Sequence, residues 1–369
     1  MRPAPAGRRR WSLPTSVDAA WRPVESTSDL SQGAPSPRGE AVELAVYFDS
    51  QRPGAASSFY TTLEAEYADR GVRISHRLTP TESFGRSRRV RKDTSPELDP
   101  PLVVIAVDAR PTISAALGSF PSLVGDILVT LCPTEIVSGT ARALHSLGTE
   151  PAALVVHCRR GRSRDDPLGV GGVVEQLRRD GVAGATALGR GEGTIAGHRH
   201  RPGLLSPAPD GPMMVVSIDH ADVFARAMPS LLTMPQIELI TVKPVFLCKW
   251  QGRRQDPPAP TADTLPWSQL TLYATGEAWL DWRPQHSRLL ARLRQLGAPG
   301  ATVLRGTIGY ALSDPSQATR KRFDHPAAPM VTTIIDTPDQ AGEWLRAINE
   351  LTEHHGLVTH EFVAAHRLM

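Results

Sequence analysis

Three short stretches of the chain carry one pattern. PLVVIAVDA (101–109), PMMVVSIDH (212–220) and PMVTTIIDT (329–337) each start at a proline, run through mostly apolar residues, and reach an aspartate: Asp108, Asp219 and Asp336. Such β-branched runs predict strands. From Asp108 to Asp219 is 111 residues and from Asp219 to Asp336 is 117. That near-constant spacing marks an internal repeat. In VVIAVD the residues facing both ways are apolar, so the predicted sheet needs a cover besides its own helices.

The flanking pattern repeats too. In the last copy, QLTLYATGE (269–277) reads as a strand. PQHSRLLARLRQLG (284–297) reads as a helix, with Leu289, Leu290, Leu293 and Leu296 at helical spacing and a glycine stop. GATVLRGTIGYA (300–311) is a strand passing into a loop. After the aspartate-ended run, PDQAGEWLRAINELTEHHG (338–356) is a helix and LVTHEFVA (357–364) a final strand. The middle copy follows the same order through ALVVHC (153–158), PLGVGGVVEQLRRDG (167–181), ATALGRGEG (185–193), ADVFARAMPSLL (221–232) and QIELITVKPVFLC (236–248). The first does so through VELAVYFD (42–49), AASSFYTTLEAEYADRG (55–71), VRISHRLT (72–79) and ISAALGSFPSLVGDILVTL (113–131). The order β-α-β-loop-β-α-β predicts an α+β chain of three tandem ferredoxin-like (βαββαβ) repeats at 42–132, 152–250 and 268–369. Residues 1–40, rich in Pro, Ser and Arg, read as a disordered tail, and 251–267 as a linker. The 133–151 connection holds a short helix at GTARALHSL (139–147). Three such units in one polypeptide predict an intramolecular pseudo-trimer, a monomer in solution.

Composition narrows the class. Hydrophobic residues make up 40% of the 369, enough for packed cores, while 30 Gly and 33 Pro leave room for many turns. A net charge of +3 is too small to indicate nucleic-acid binding. Cys132, Cys158 and Cys248 stand far apart with no C-x-x-C spacing, which fits buried thiols in a reducing compartment. No apolar run approaches membrane-spanning length, and the polar, Pro-broken stretch after Arg8–Arg10 is no signal core. The expectation is a soluble cytoplasmic protein.

The glycine segments carry a resemblance. GATVLRGTIGY, with PMVTTIIDTPDQAGEWL and GLVTHEF after it, resembles the bacterial family called domain of unknown function 190. GVAGATALGRGEG with PMMVVSIDHADVFARAMPSLL resembles it too. The first copy is a divergent version. The family is similar to the PII signalling proteins. That likeness implies ferredoxin-like units in trimers, adenine nucleotides in the clefts between subunits, and a long loop that touches partner proteins.

Each candidate site has a plainer reading beside it. Gly184–Gly197 holds five glycines, and basic residues follow. Glycine permits the close backbone approach of a phosphate cradle, and arginines pair with phosphate oxygens. The segment lacks the Gly-Lys-Ser/Thr of a Walker A loop. Equally, Gly184 and Gly300 serve a tight passage from helix to strand. Gly189, Arg190, Gly191, Gly193, Arg199, Arg305, Gly306 and Gly309 are the candidate ligand-binding residues. FGRSRRVRK (84–92) has five cations and no acid. Phe84, Gly85, Arg86, Arg88, Arg89 and Arg91 are candidates for a partner-binding loop, against the reading of a solvated loop. His198 and His200 point the same way on a strand, but two ligands make no metal site. His354, His355, His360 and His366 carry no more. The shared aspartates read as helix N-caps. No catalytic constellation appears.

The reading is a non-enzymatic PII-like sensor that binds a small anionic ligand, such as an adenine nucleotide, between repeats. Its loops contact a partner protein, for which a membrane transporter is the candidate. The alternatives are a metal-binding ferredoxin-like module and a scaffold with no small-molecule ligand.

Overall fold

The computed structural model describes residues 41–49, 54–93, 100–118, 126–137, 142–162, 166, 168–201, 209–262, 264–275, 279–280, 283–311, 328–352 and 355–368. The tail expected over 1–40 and the expectation for His354 fall outside them.

The fold is mixed α+β, and every strand pair among the described residues is antiparallel. The first segment runs β1 (Ala41–Asp49), α1 (Ala55–Asp69), β2 (Ile74–Leu78), the hairpin β3 (Glu82–Phe84) and β4 (Arg91–Lys92), β5 (Leu102–Ala109), α2 (Arg110–Gly118) and β6 (Asp126–Ile136). A short helix, α3 (Arg142–Leu147), connects onward. The middle segment runs β7 (Pro151–Arg159), α4 (Val170–Arg179), β8 (Gly184–Leu188), the hairpin β9 (Gly193–Ile195) and β10 (His198–His200), β11 (Pro212–His220), α5 (Ala221–Leu232), β12 (Ile237–Pro244), and the hairpin β13 (Phe246–Trp250) and β14 (Arg253–Arg254). That hairpin turns at Gln251–Gly252, so the stretch expected as a linker begins with paired strand. The last segment runs β15 (Trp267–Thr275), the short pair β16 (Trp279–Leu280) and β17 (Arg283–Pro284), α6 (Gln285–Leu296), β18 (Ala301–Arg305), β19 (Ile308–Ala311), β20 (Pro329–Asp336), α7 (Pro338–Thr352) and β21 (Leu357–Leu368).

Pairing gives the strand orders β2-β5-β1-β6, β8-β11-β7-β12 and β18-β20-β15-β21. In each, the first strand lies between the third and the last. Alternation along β1 sends Val42, Leu44, Val46 and Phe48 against Phe59 and Leu63 of α1 and Ile113 of α2. The middle and last segments bury their own helices in the same way. The opposite faces meet each other. Leu78 and Val103, Leu188 and Met214, and Leu304 and Val331 form one cluster drawn from all three segments. Each such side chain contributes roughly 1.5–3 kcal/mol on burial. This second buried face is what the two-sided apolar pattern of the strands requires.

The sheets also share edges. β9 of the middle segment lies on β2, β19 of the last lies on β8, and β3 of the first lies on β18. At the other edges, the end of β6 pairs with β12, β13 with β21, and the end of β21 with β6. Counting back four residues from Leu78, Leu188 and Leu304 reaches Ile74, Gly184 and Gly300. A Cβ on Gly184 would stand 3.1 Å from the Tyr310 carbonyl oxygen, and one on Gly300 3.0 Å from that of Phe84. These glycines therefore make room for a strand from another segment. The turn from helix to strand is made earlier, at Gly181 and Gly297, whose φ values are +78° and +102°.

The shared aspartates are not helix N-caps. Asp219 accepts the His220 N–H and the Ala183 N–H, both at 2.8 Å, while α5 has His220 as N-cap with no side-chain bond. Asp108 accepts from Ala109 at 2.6 Å and Arg73 at 2.9 Å. Each carboxylate ties the end of one strand to the start of its neighbour. At the third site the residue before Gly300 is Pro299, which has no N–H. There Asp336 takes the Trp344 indole N–H instead, at 2.9 Å, besides the Thr337 N–H at 2.8 Å.

Gly193 has φ +145°, and a Cβ there would lie 1.9 Å from the Ser75 carbonyl oxygen. Gly193→Ala is therefore expected to lower stability by more than about 3 kcal/mol in urea denaturation. Gly181→Ala, which has open space around it, should cost only about 1–2 kcal/mol.

Candidate functional site

The three places where a loop strand crosses onto another segment differ in charge. Opposite Arg77 of β2 comes Glu192, and the two form an ion pair at 2.8 Å. The Arg77 guanidinium also sits 4.8 Å from the Tyr60 ring centre. Beside it, Arg201 bonds the fully buried Glu64, which accepts the Tyr60 hydroxyl at 3.1 Å. His76 Nε2 and His157 Nδ1 meet at 2.8 Å, both rings wholly buried. This joint is closed.

Charged contacts fill the joint between β3 and β18 as well, beside a smaller cavity of about 20 Å³ lined by His286, Leu289 and Met330. Glu82, opposite Val303, accepts from Ser287 Oγ at 2.8 Å and lies 3.0 Å from Lys92 Nζ. Burial lowers the pKa of neighbouring His286, opposed by Glu82 and helped by Lys92 and Arg305.

Between β8 and β19 the facing residues are Ala187 and Ile308, which carry no charge. A cavity of about 90 Å³ opens there, lined by Arg160, Val170, Gly189, Arg190, Met213 and the Thr307–Ile308 pair. Gly306 N–H to Pro329 O at 2.7 Å and Thr307 N–H to Ala187 O at 2.9 Å fix its far wall. Arg160 follows β7 directly, and Val170 is the first residue of α4, whose first turn continues with Gly171 and Gly172. Two arginines, a helix start without bulky side chains at two of its first three positions, and no carboxylate among the described lining residues make this an anion-accepting wall.

The sequence-predicted ligand residues are spread over the joints. Gly189 and Arg190 line the cavity. Gly191 packs against Gly211, Gly193 lies on β2 and Gly309 on β8. Gly306 supports the wall, as described above. Arg199 is exposed on β10, and Arg305 ends β18 beside His286 at the β3–β18 joint. Sequence reasoning missed Arg160, Val170, Met213, Thr307 and Ile308. The RRGR run (159–162) just ahead of a glycine-rich helix start was the available signal.

The expected partner loop divides. Phe84 is buried in the last segment's core and Arg91 is buried in β4, so neither is available to a partner. Gly85 is half-buried and accepts the Arg88 N–H at 2.9 Å. Arg86, Arg88 and Arg89 are exposed. Arg88 donates to the Arg294 carbonyl and Arg294 donates back to that of Arg88, which holds the loop on α6.

His198 and His200 lie on β10, and among the described residues no three His, Cys, Asp or Glu side chains come together as metal ligands. The three cysteines are buried and free, and burial pushes the Cys132 and Cys248 thiols up to about 12. No helix among the described residues is long and apolar enough to cross a membrane.

The sequence matches the family model for domain of unknown function 190, described as Uncharacterized ACR, over residues 159–247 and 267–365, together just over half of the chain. The first segment lies outside that match. Among solved structures, aspartate kinase from Synechocystis is similar at 10% identity and a TM-score of 0.22. That match covers 88% of this chain and 43% of the kinase chain, so the chain spans less than half of the kinase's length. A likeness of that score bears on neither fold nor activity. No curated protein matches the sequence.

Burial holds His76 well below the ordinary histidine value, reinforced by His157, and burial alone pushes His157 down to about 3. Both rings should keep neutral-imidazole NMR shifts from pH 8 to pH 5. The stability they contribute is complete above about pH 6.5 and is lost as the pH falls through their lowered values. Titration of either ring near 6.5 in the folded protein would contradict the closed joint.

Proposed function

The chain belongs to the domain of unknown function 190 family, and on that basis we propose that it is a non-enzymatic, PII-like regulatory protein that binds a small anionic ligand. The observation that carries this reading is the open joint between β8 and β19. Charged contacts fill the other two joints, with a cavity of only about 20 Å³ beside the β3–β18 joint, whereas this one leaves about 90 Å³ with Arg160, Arg190 and the start of α4 on its wall. About 90 Å³ is far below the roughly 300–1,000 Å³ of a drug-sized pocket. It suits a phosphate-sized group. An adenine nucleotide would seat one phosphate there and lay the rest across the outer surface.

In this reading the three segments are ferredoxin-like repeats, the first divergent, that close as an intramolecular pseudo-trimer. The recurring strand order and the cyclic exchange of loop strands support it. Arg86, Arg88 and Arg89, with Arg199 of the middle segment, offer basic surface to an acidic partner in the cytoplasm, for which a membrane transporter is the candidate. Ligand at the β8–β19 joint would act on such a partner through the loops that frame it.

Thermal-shift titration with ATP, ADP, AMP, cyclic nucleotides and inorganic phosphate tests the ligand. At about 100-fold excess over Kd, stabilisation of about 2.7 kcal/mol is expected, a rise of a few degrees. Arg190→Ala should abolish it, and Arg199→Ala should leave it intact. No shift with any of these at millimolar concentration would remove the reading. Light scattering should give a 39.9 kDa monomer; an obligate trimer of whole chains would remove the intramolecular closure.

A further inference from the structure

Where β1, β6, β12, β15 and β21 converge, polar side chains from all three segments meet away from water. Lys243 Nζ lies 2.9 Å from Glu43 Oε1 and 3.2 Å from Glu361 Oε2. Gln269 donates to the same Glu361 oxygen at 3.2 Å. The Lys243 and Glu361 side chains are each 8% exposed and that of Glu43 14%. Strand register brings them together: Glu43 faces Cys132, Lys243 faces Ala153, and Glu361 faces Gln269. Cys132, Lys243 and Glu361 thus hold matching places on the last strand of each segment. These matching positions carry a thiol, an ammonium and a carboxyl.

The groups around Glu361 are Lys243 from β12, Glu43 and Tyr47 from β1, Cys132 from β6, and Gln269 and Tyr273 from β15. Burial raises both tyrosine hydroxyls and the Cys132 thiol, so they stay neutral. That leaves one ammonium against two carboxyls. With both carboxyls ionised, the cluster would bury one net negative charge, and a buried uncompensated charge neutralises itself instead.

We propose that this cluster is a proton-binding site, in which Glu361 carries one proton on Oε1 in the folded protein at neutral pH. Glu361 Oε2 already accepts from both Lys243 and Gln269, which leaves Oε1 as the oxygen for the proton. Burial raises the Glu361 carboxyl, against the pull of Lys243. Burial lowers the Lys243 ammonium, and the ionised Glu43 at 2.9 Å opposes that and keeps the lysine charged. Losing the proton places net negative charge beneath β21, the strand that joins β15, β13 and β6. The site is therefore an alkaline-sensitive clamp on that strand. A carboxyl raised in the folded state contributes stability that is full below the ordinary glutamate value and is lost as the pH rises through the raised one.

The test uses the full chain, labelled with ¹³C-glutamate so that aspartates do not contribute. A protonated-carboxyl infrared band is expected at pH 7, lost in Glu361→Gln and carried to lower pH in Glu43→Gln, which leaves one carboxyl for one ammonium. In urea denaturation, the unfolding constant of the wild type relative to Glu361→Gln should rise by up to about tenfold per pH unit, one proton's worth, until Glu361 ionises. Absence of the wild-type band at pH 7, its retention in Glu361→Gln, or parallel pH profiles would overturn the proposal. If Glu361→Gln fails to fold, Lys243→Met decides by the same band. Removing the ammonium should carry the band to more alkaline pH, and an unchanged or lower midpoint would overturn the assignment.

Discussion

The structure depends on one constraint: each sheet is apolar on both faces. One face has its own helices. The other finds its cover only in the remaining two segments, where Leu78, Leu188 and Leu304 meet with Val103, Met214 and Val331. No segment supplies that surface alone. The exchanges at the sheet edges follow from it, because strands held face to face bring their open edges within reach of each other's loops.

Covalent connection frees the segments from having to match. Where β9 meets β2, an arginine and a glutamate fill the joint; where β3 meets β18, Glu82, Ser287 and Lys92 do. Between β8 and β19 the matching pair is the uncharged Ala187 and Ile308, and the space remains open. The same freedom operates at the centre, where matching positions hold Cys132, Lys243 and Glu361. Three identical charges could not be buried together there, whereas one ammonium between carboxyls can.

Much of the fold was legible because it rests on local periodicity. Apolar runs ended by aspartate located the third strands, and leucine spacing located α6. The long-range contacts were not legible. Asp219 resembles a helix cap in sequence, yet its second donor, Ala183, lies 36 residues away. Phe84 and Arg91 sit in a stretch whose charge announces a solvated loop, and only pairing of β3 with β18 shows why they are buried. Arg190 was found through its glycines. Arg160 and Ile308 were not, because the cavity arises from missing charge at one of three matched joints, and that comparison needs the register between segments.

The last residues of β21, Ala364–Leu368, complete the open edge of β6, a strand made more than 220 residues earlier. A ribosome delivers the first segment long before this partner exists. Until β21 emerges, the nascent chain must carry the Ile127–Leu131 edge of β6 without its partner strand. Synthesis of this protein therefore has a late point of commitment, and the exposed intermediate is the form that chaperones and proteases would meet first.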